Sequence, residues 1–238
     1  MAQCPTEART HVGNVRSGNE DALLAKPEAG LWVVADGMGG HQAGEYASGL
    51  IVERIAALNP RAYLADFVDQ VEDCLLGVNR DLLSFAHANY PGQVVGSTVV
   101  SLLIRDGVAV TLWVGDSRLY RRRNNQLQRM TRDHTRVEEM VEQGVLTPES
   151  AANHPGGHVL TRAMGAEERL WVSVAAWQVR PGDRYLLCSD GLWGELSATA
   201  LEREMATKAL KTAADNLQSN CLAGSARDNL SFIIVEVA

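Results

Sequence analysis

Four aspartates stand where an apolar run meets a turn. Asp36 follows residues 31–35 and opens Asp36-Gly37-Met38-Gly39-Gly40-His41. Asp116 follows residues 108–114 within Gly115-Asp116-Ser117-Arg118. Asp190 follows Tyr185-Leu186-Leu187-Cys188 within Ser189-Asp190-Gly191-Leu192-Trp193, and Asp228 precedes the run 230–237. A carboxylate at the rim of a core is very costly unless something answers its charge. For Asp36 the candidates are a metal, an Arg or Lys, or water. Ends of neighbouring antiparallel strands meet at one sheet edge, where four carboxylates repel one another unless cations neutralise them. Oxygen ligands without His or Cys suit hard cations such as Mg²⁺ or Mn²⁺. Two such ions about 3.5–4 Å apart can share a carboxylate and activate a water for phosphoryl cleavage.

The elements that must position these acids are legible in the pattern. Residues 31–35, 98–104 and 108–114 are near-continuous apolar runs of strand length, which predicts strands covered on both faces. Asp106-Gly107 between the last two is a strong hairpin signal, and a second hairpin is expected around Asn124-Asn125. Residues 44–58 and 62–87 carry apolar side chains at i, i+3, i+4 spacing, the mark of amphipathic helices. Strands are also expected over 171–177 and 183–189, and helix over 198–224. Residues 133–165 lose strand character, hold a short helix over 137–143, and read as a lid or recognition flap. Arg121-Arg122-Arg123 reads as a solvated hairpin face. Trp32 and Trp113 are expected in the core and Trp193 as a packing anchor, whereas His154 and His158 lack partners at zinc-ligand spacing.

Bulk properties narrow the class. The 238 residues are 46% apolar and 21% charged, with a net charge of −7, the profile of a globular protein and the opposite of the basic face a general nucleic-acid binder needs. No apolar run approaches the ~18 residues of a membrane span, and the N-terminus has no signal-peptide pattern. Cys4, Cys74, Cys188 and Cys221 lie far apart, as expected of reduced thiols in a cytoplasmic protein. A monomer and a single domain over 1–238 are expected.

Taken in order, the segments are similar to the metal-dependent Ser/Thr protein phosphatases of type 2C, in their compact bacterial form. They are Arg16-x-x-Asn19-Glu20-Asp21, the Asp36–His41 turn, Gly96-Ser97-Thr98, Gly115-Asp116-Ser117-Arg118, Thr131-x-Asp133-His134, Leu160-Thr161-Arg162-Ala163-x-Gly165, the Ser189–Trp193 turn and Asp228-Asn229. Each alone is weak; the ordered set is specific and covers nearly the whole chain. The resemblance implies an α+β fold, a four-layer α-β-β-α sandwich with two central antiparallel sheets and a dinuclear metal site at one edge. It implies two Mn²⁺ or Mg²⁺ ions and a third site. Asp36 would bridge two metals, Asp190 and Asp228 bind the first, and the Gly37 carbonyl serve the second, with Glu20 acting through water and Asp21 in support. Asp116 with Asp190 would form the third site, and Arg16 would bind the substrate phosphate. Attack by the metal-bridging water on phosphoserine or phosphothreonine is the implied reaction, reversing a Ser/Thr kinase, with phosphoproteins and a cognate kinase as partners. The sequence departs from animal members at Met38, which replaces a proton-donating His; metal-bound water, and then His41, are the candidates for the leaving-group acid.

Three other readings compete. Gly37-x-Gly39-Gly40 between a strand and a helix suggests a dinucleotide loop, but the next glycine position is Gln42 and Asp36 would repel a pyrophosphate. Cys74 and Arg80 match the bare spacing of cysteine phosphatases, yet Cys74 falls on the apolar stripe of a helix, where a thiol is a poor nucleophile. A catalytically inactive phosphoprotein-binding domain of the same fold would be expected to lack a metal-bridging Asp, and none is missing.

Overall fold

The computed structural model describes residues 4–151, 154, 156–157 and 159–238, the side chains of His41 and Glu149 excepted. In chain order the strands are β1 (Thr6–His11), β2 (Asp21–Lys26), β3 (Leu31–Met38), β4 (Gly96–Ser97), β5 (Val99–Arg105), β6 (Val108–Val114), β7 (Arg118–Arg123), β8 (Gln126–Arg129), β9 (Ser173–Gln178), β10 (Arg184–Cys188) and β11 (Leu230–Glu236). The helices are α1 (His41–Ala56), α2 (Leu64–Asn89), α3 (Arg136–Glu142), α4 (Pro148–Ala151), α5 (Asp190–Trp193), α6 (Ala198–Met205) and α7 (Leu210–Leu222).

Two antiparallel sheets result, one ordered β1-β11-β10-β7-β8 and the other β2-β3-β5-β6-β9. Side chains of a strand alternate between faces, and here both faces are dry. Trp32 and Val34 of β3 enter the layer between the sheets with Val100, Leu102, Tyr185, Leu187, Ile233 and Val235. Leu31, Val33 and Ala35 point the other way, onto Ile51, Ile55, Phe67, Leu75 and Leu82 of α1 and α2. Leu186, Cys188, Phe232 and Ile234 pack beneath α6 and α7. Three apolar layers therefore separate four structural layers, α-β-β-α. Strands covered on both sides need unbroken apolar sequence, which explains the runs in β3, β5, β6, β10 and β11. In α2, Phe67, Val71, Leu75, Val78 and Leu82 are buried, each worth about 1.5–3 kcal/mol for the larger side chains.

The turns follow local chemistry. Asp106 and Gly107 both take positive φ (51° and 77°), as do Asn124 and Asn125 (51° and 62°), the requirement of the tight hairpin turn that matches strand twist. Thr135 caps α3 by accepting from the Glu138 amide at 3.3 Å, and Ser197 caps α6 by accepting from Ala200 at 3.2 Å.

Several expectations are corrected. β3 does not stop before Asp36 but runs through Met38, because Gly37 and Met38 pair with β4. β1 pairs with β11 over its whole length, although Thr-Glu-Ala-Arg-Thr-His has no apolar signature to announce it. The 198–224 helix is two helices, α6 and α7. Arg123 is not part of a solvated face: it binds the buried Asp183 at 2.6 Å and 2.7 Å, and this partner holds the Asp183 carboxyl below its usual range against the effect of burial. Trp32 and Trp113 are buried as expected, and all four cysteines are free thiols.

Candidate active site

Alternation along β3 sets the first carboxylate. Trp32 and Val34 face the layer between the sheets, so Asp36 emerges at the open end of that layer. Asp21, the first residue of β2, is its direct cross-strand partner, a pairing of like charges that is unfavourable unless compensated. The turn after β6 brings Asp116, the Ser189–Asp190 step after β10 brings Asp190, and the loop before β11 brings Asp228. Arg16, Glu20, Asp36, Gly37, Asp116, Asp190 and Asp228 line one cavity of about 400 Å³, with Met38, Thr98, Leu160 and Asn229. Asp21 sits beside this cavity, outside its wall. The His41 side chain lies outside the described residues, as does His158.

Hydrogen bonds fix the backbone around the acids. Thr98 braces Asp36 twice: its amide donates to the Asp36 carbonyl at 2.8 Å, and its hydroxyl accepts from the Asp36 amide at 3.2 Å. Ser117 shares a 2.7 Å hydrogen bond with the same hydroxyl. Ser189 donates to Asp21 at 2.9 Å. The Asn229 side chain accepts from the Glu20 amide at 2.8 Å and donates to the Val12 and Gly18 carbonyls at 2.9 Å each. These four bracing residues are not among the site residues expected from sequence. The signal that could have found them is a hydroxyl or amide side chain next to, or one strand across from, each expected acid. Close approach explains the glycines. A Cβ on Gly37 would lie 2.1 Å from the Gly44 carbonyl oxygen, and one on Gly44 would lie 1.8 Å from a Glu20 carboxyl oxygen. The first turns of α1 can therefore press against β3 and Glu20.

The electrostatics are those of crowded acid. Burial first, then the charges of Asp21, Asp190, Asp116 and Asp228, push the Asp36 carboxyl well above the usual range. Burial raises Asp21 to about 7, opposed by the Ser231 and Ser189 hydroxyls and reinforced by Asp190 and Asp228. Burial and Asp190 raise Asp116 to about 7 against the pull of Arg118. Arg16 donates to Asp228 at 2.7 Å, with both side chains about half exposed (48% and 41%), and that contact raises the guanidinium pKa further.

Among the described residues no three His, Cys, Asp or Glu side chains stand as a ready ligand cluster; Asp228 is turned to Arg16 and Asp21 to Ser189. Divalent ions nonetheless fit. The charged donors around the cavity are all carboxylate oxygens, with the Met38 thioether the one sulfur in its lining, and Asp21 Oδ1 is a buried acceptor without a hydrogen-bond partner. Such a set suits a hard cation.

The chain is similar to known proteins in sequence and in fold. The family model for Protein phosphatase 2C matches residues 11–227. The Listeria welshimeri serine/threonine phosphatase stp is 32% identical over 97% of this chain and 94% of its own length. The Mycobacterium tuberculosis serine/threonine protein phosphatase PstP is 32% identical over 97% of this chain, which spans 44% of PstP. The structure of PppA, a regulatory component of the type VI secretion system in Pseudomonas aeruginosa, superposes with a TM-score of 0.93 at 38% identity, covering 100% of this chain and 99% of PppA. The PstP catalytic domain, solved in complex with two manganese ions, superposes with a TM-score of 0.86 at 31% identity, covering 99% of this chain and 98% of that one.

Proposed function

The chain belongs to the protein phosphatase 2C family, and on that premise we propose that it is a metal-dependent phosphatase acting on phosphoserine and phosphothreonine in proteins. The observation that carries this reading is the convergence of Glu20, Asp36, Asp116, Asp190 and Asp228 with one guanidinium, Arg16, around a single cavity. Asp36, Asp190, Asp228 and the Gly37 carbonyl would hold two Mn²⁺ or Mg²⁺ ions, with Glu20 and Asp21 in support and Asp116 with Asp190 at a third position. When bound, the ions act as Lewis acids and lower the pKa of water for attack on phosphorus.

The remaining roles fall to this chain's own groups. Arg16 can leave Asp228 and present its planar fork to two phosphate oxygens, a geometry matched to guanidinium. Thr98 and Ser117 hold the Asp36 and Asp116 backbones still. Met38 lines the cavity but has no proton to give, so protonation of the departing Ser or Thr oxygen falls to solvent or to His41. No side-chain nucleophile is required, and Cys74, whose thiol is raised by burial, lies on α2 away from the cavity lining. Residues 1–238 act as one catalytic unit, with 133–165 as its flap, of which Leu160 lines the cavity. Phosphorylated proteins of a Ser/Thr kinase pathway, the kinase included, are the substrates, and a monomer in the cytoplasm is the working form; no described helix is long and apolar enough to cross a membrane.

The test is turnover of p-nitrophenyl phosphate and a phosphothreonine peptide by metal-stripped protein, alone and with Mn²⁺ or Mg²⁺ restored. Activity should appear with cation and vanish with EDTA. Asp36→Asn should lower kcat/KM by about 10³-fold or more, the loss of roughly 4 kcal/mol of transition-state stabilisation. Cation-independent turnover, or full activity in Asp36→Asn, would overturn the reading.

A further inference from the structure

Asp116 and Asp190 reach the cavity from turns 74 positions apart in the chain; the β7–β10 ladder ends at the Arg118–Cys188 pair, and beyond it the Trp193 side chain spans the two turns. Trp193 closes the short helix α5 that Asp190 opens, and its indole N–H donates to the Asp116 carbonyl at 3.0 Å. Its ring carries the Arg118 guanidinium, whose central carbon lies 3.4 Å from the ring centroid. Arg118 is itself immobilised. Its Nε and Nη2 grip both oxygens of the buried Asp133 at 2.7–3.1 Å, and its Nη1 donates to the Tyr120 hydroxyl at 3.0 Å.

Asp133 opens the 133–165 segment, and the next residue holds the same turn from its other side. The His134 amide donates to the Gly115 carbonyl at 2.9 Å, while the Gly115 amide donates to His134 Nδ1 at 3.0 Å. Thr161 then donates to the His134 carbonyl at 2.8 Å, and Thr135 bridges to Leu160, which lines the cavity. The turn 115–118 is thus clamped between Trp193 and His134. A clamp has work to do there, because Asp116 and Asp190 are like charges at close quarters and their repulsion drives the two turns apart.

We infer that Trp193 is a positioning residue that ties the Asp116 turn to the Asp190 turn, and that the Arg118–Asp133 pair carries this tie into the base of the 133–165 segment. The consequence at the site rests on the phosphatase reading; the tie itself does not. It makes the placement of the Asp116 carboxylate depend on the base of that segment.

Trp193→Phe isolates the tie, since it keeps a ring beneath Arg118 and removes the N–H. Arg118→Lys keeps the charge and removes the planar fork. Trp171→Phe, at an exposed indole stacked with Arg169, is the control. Hydrogen–deuterium exchange of the metal-free proteins should show faster exchange over 115–118 in both site variants and not in the control. Calorimetric titration with Mn²⁺ should show at least one site weakened about fivefold, as loss of one hydrogen bond implies. The kcat should fall while KM for the phosphopeptide holds, and circular dichroism should show both variants folded. Unchanged exchange and unchanged Mn²⁺ affinity in both Trp193→Phe and Arg118→Lys would overturn the inference. A parent protein without Mn²⁺-dependent turnover would instead overturn the phosphatase reading, and the exchange comparison would still decide the tie.

Discussion

Arg16 and Asp228 lie 212 positions apart and meet at 2.7 Å, which makes Arg16 the residue on which substrate affinity turns. Both side chains are about half exposed, and exposed pairs of this kind contribute little to stability. Arg16→Ala should leave the fold intact and lower kcat/KM for a phosphopeptide by about 10- to 100-fold, the worth of one or two charge-assisted hydrogen bonds. Arg16→Lys should recover part of that loss, because an ammonium offers a charge without the fork. Steady-state kinetics on the two variants, with circular dichroism as the folding control, checks both. At this scale the acids were legible as strand-end aspartates. Thr98, Ser117, Ser189 and Asn229 fell within the matched segments, but their bracing role was not legible, because a hydroxyl or amide gains meaning only from what it faces.

Between elements, two contacts make predictions. Asn79 is the buried polar residue on the apolar face of α2. Its side chain accepts from the Gly165 amide at 2.7 Å and donates to the Glu167 carbonyl at 2.9 Å. Asn79→Ala leaves two backbone groups without partners and should cost about 2–3 kcal/mol in urea unfolding. His134 is the second. The Gly115 N–H occupies Nδ1, so Nε2 carries the proton and donates to Ser173 at 2.9 Å. Burial first, then the Arg162 charge, lowers its pKa from 6.5 to about 4. The unfolded chain therefore binds a proton between these values that the folded chain refuses. Stability is fully present above about pH 6.5 and is lost as pH falls toward 4, on the order of 2 kcal/mol in all. The raised Asp21, Asp36 and Asp116 carboxyls work in the opposite direction over the same window, so the difference between proteins is the readout: between pH 7 and pH 5, urea unfolding should show the parent losing stability relative to His134→Gln. The hairpins around Asp106-Gly107 and Asn124-Asn125 were readable because two adjacent residues decide them. The break between α6 and α7, which neither Gly nor Pro marks, was not.

For the molecule as a whole, the acidic end of the sandwich implies that cations and folding are linked. A ligand held by the native state and not by the unfolded chain stabilises by mass action, about 2.7 kcal/mol at a hundredfold excess over Kd. Mn²⁺ at that excess should raise Tm by roughly 5–10 °C for a chain of this size, and Asp36→Asn should abolish most of the shift. Differential scanning calorimetry with and without the ion reads this directly. The packing itself is insensitive to the site: the layer between the sheets, with Trp32, Leu102, Tyr185 and Ile233, ends before the carboxylates begin.

What this sequence determined alone was whatever depends on near neighbours: the doubly buried strands, the amphipathic α1 and α2, the hairpins, and acids at strand ends whose order along the chain resembles one family. Tertiary structure decided the pairing of Asp21 opposite Asp36, the polar strand β1 that β11 recruits, the Arg123–Asp183 pair, and the Trp193 tie between the Asp116 and Asp190 turns. The reason is geometric. Periodicity reports which face of an element is dry, but the register between elements, and so which charges must tolerate one another, is set only when distant strands close on a shared core.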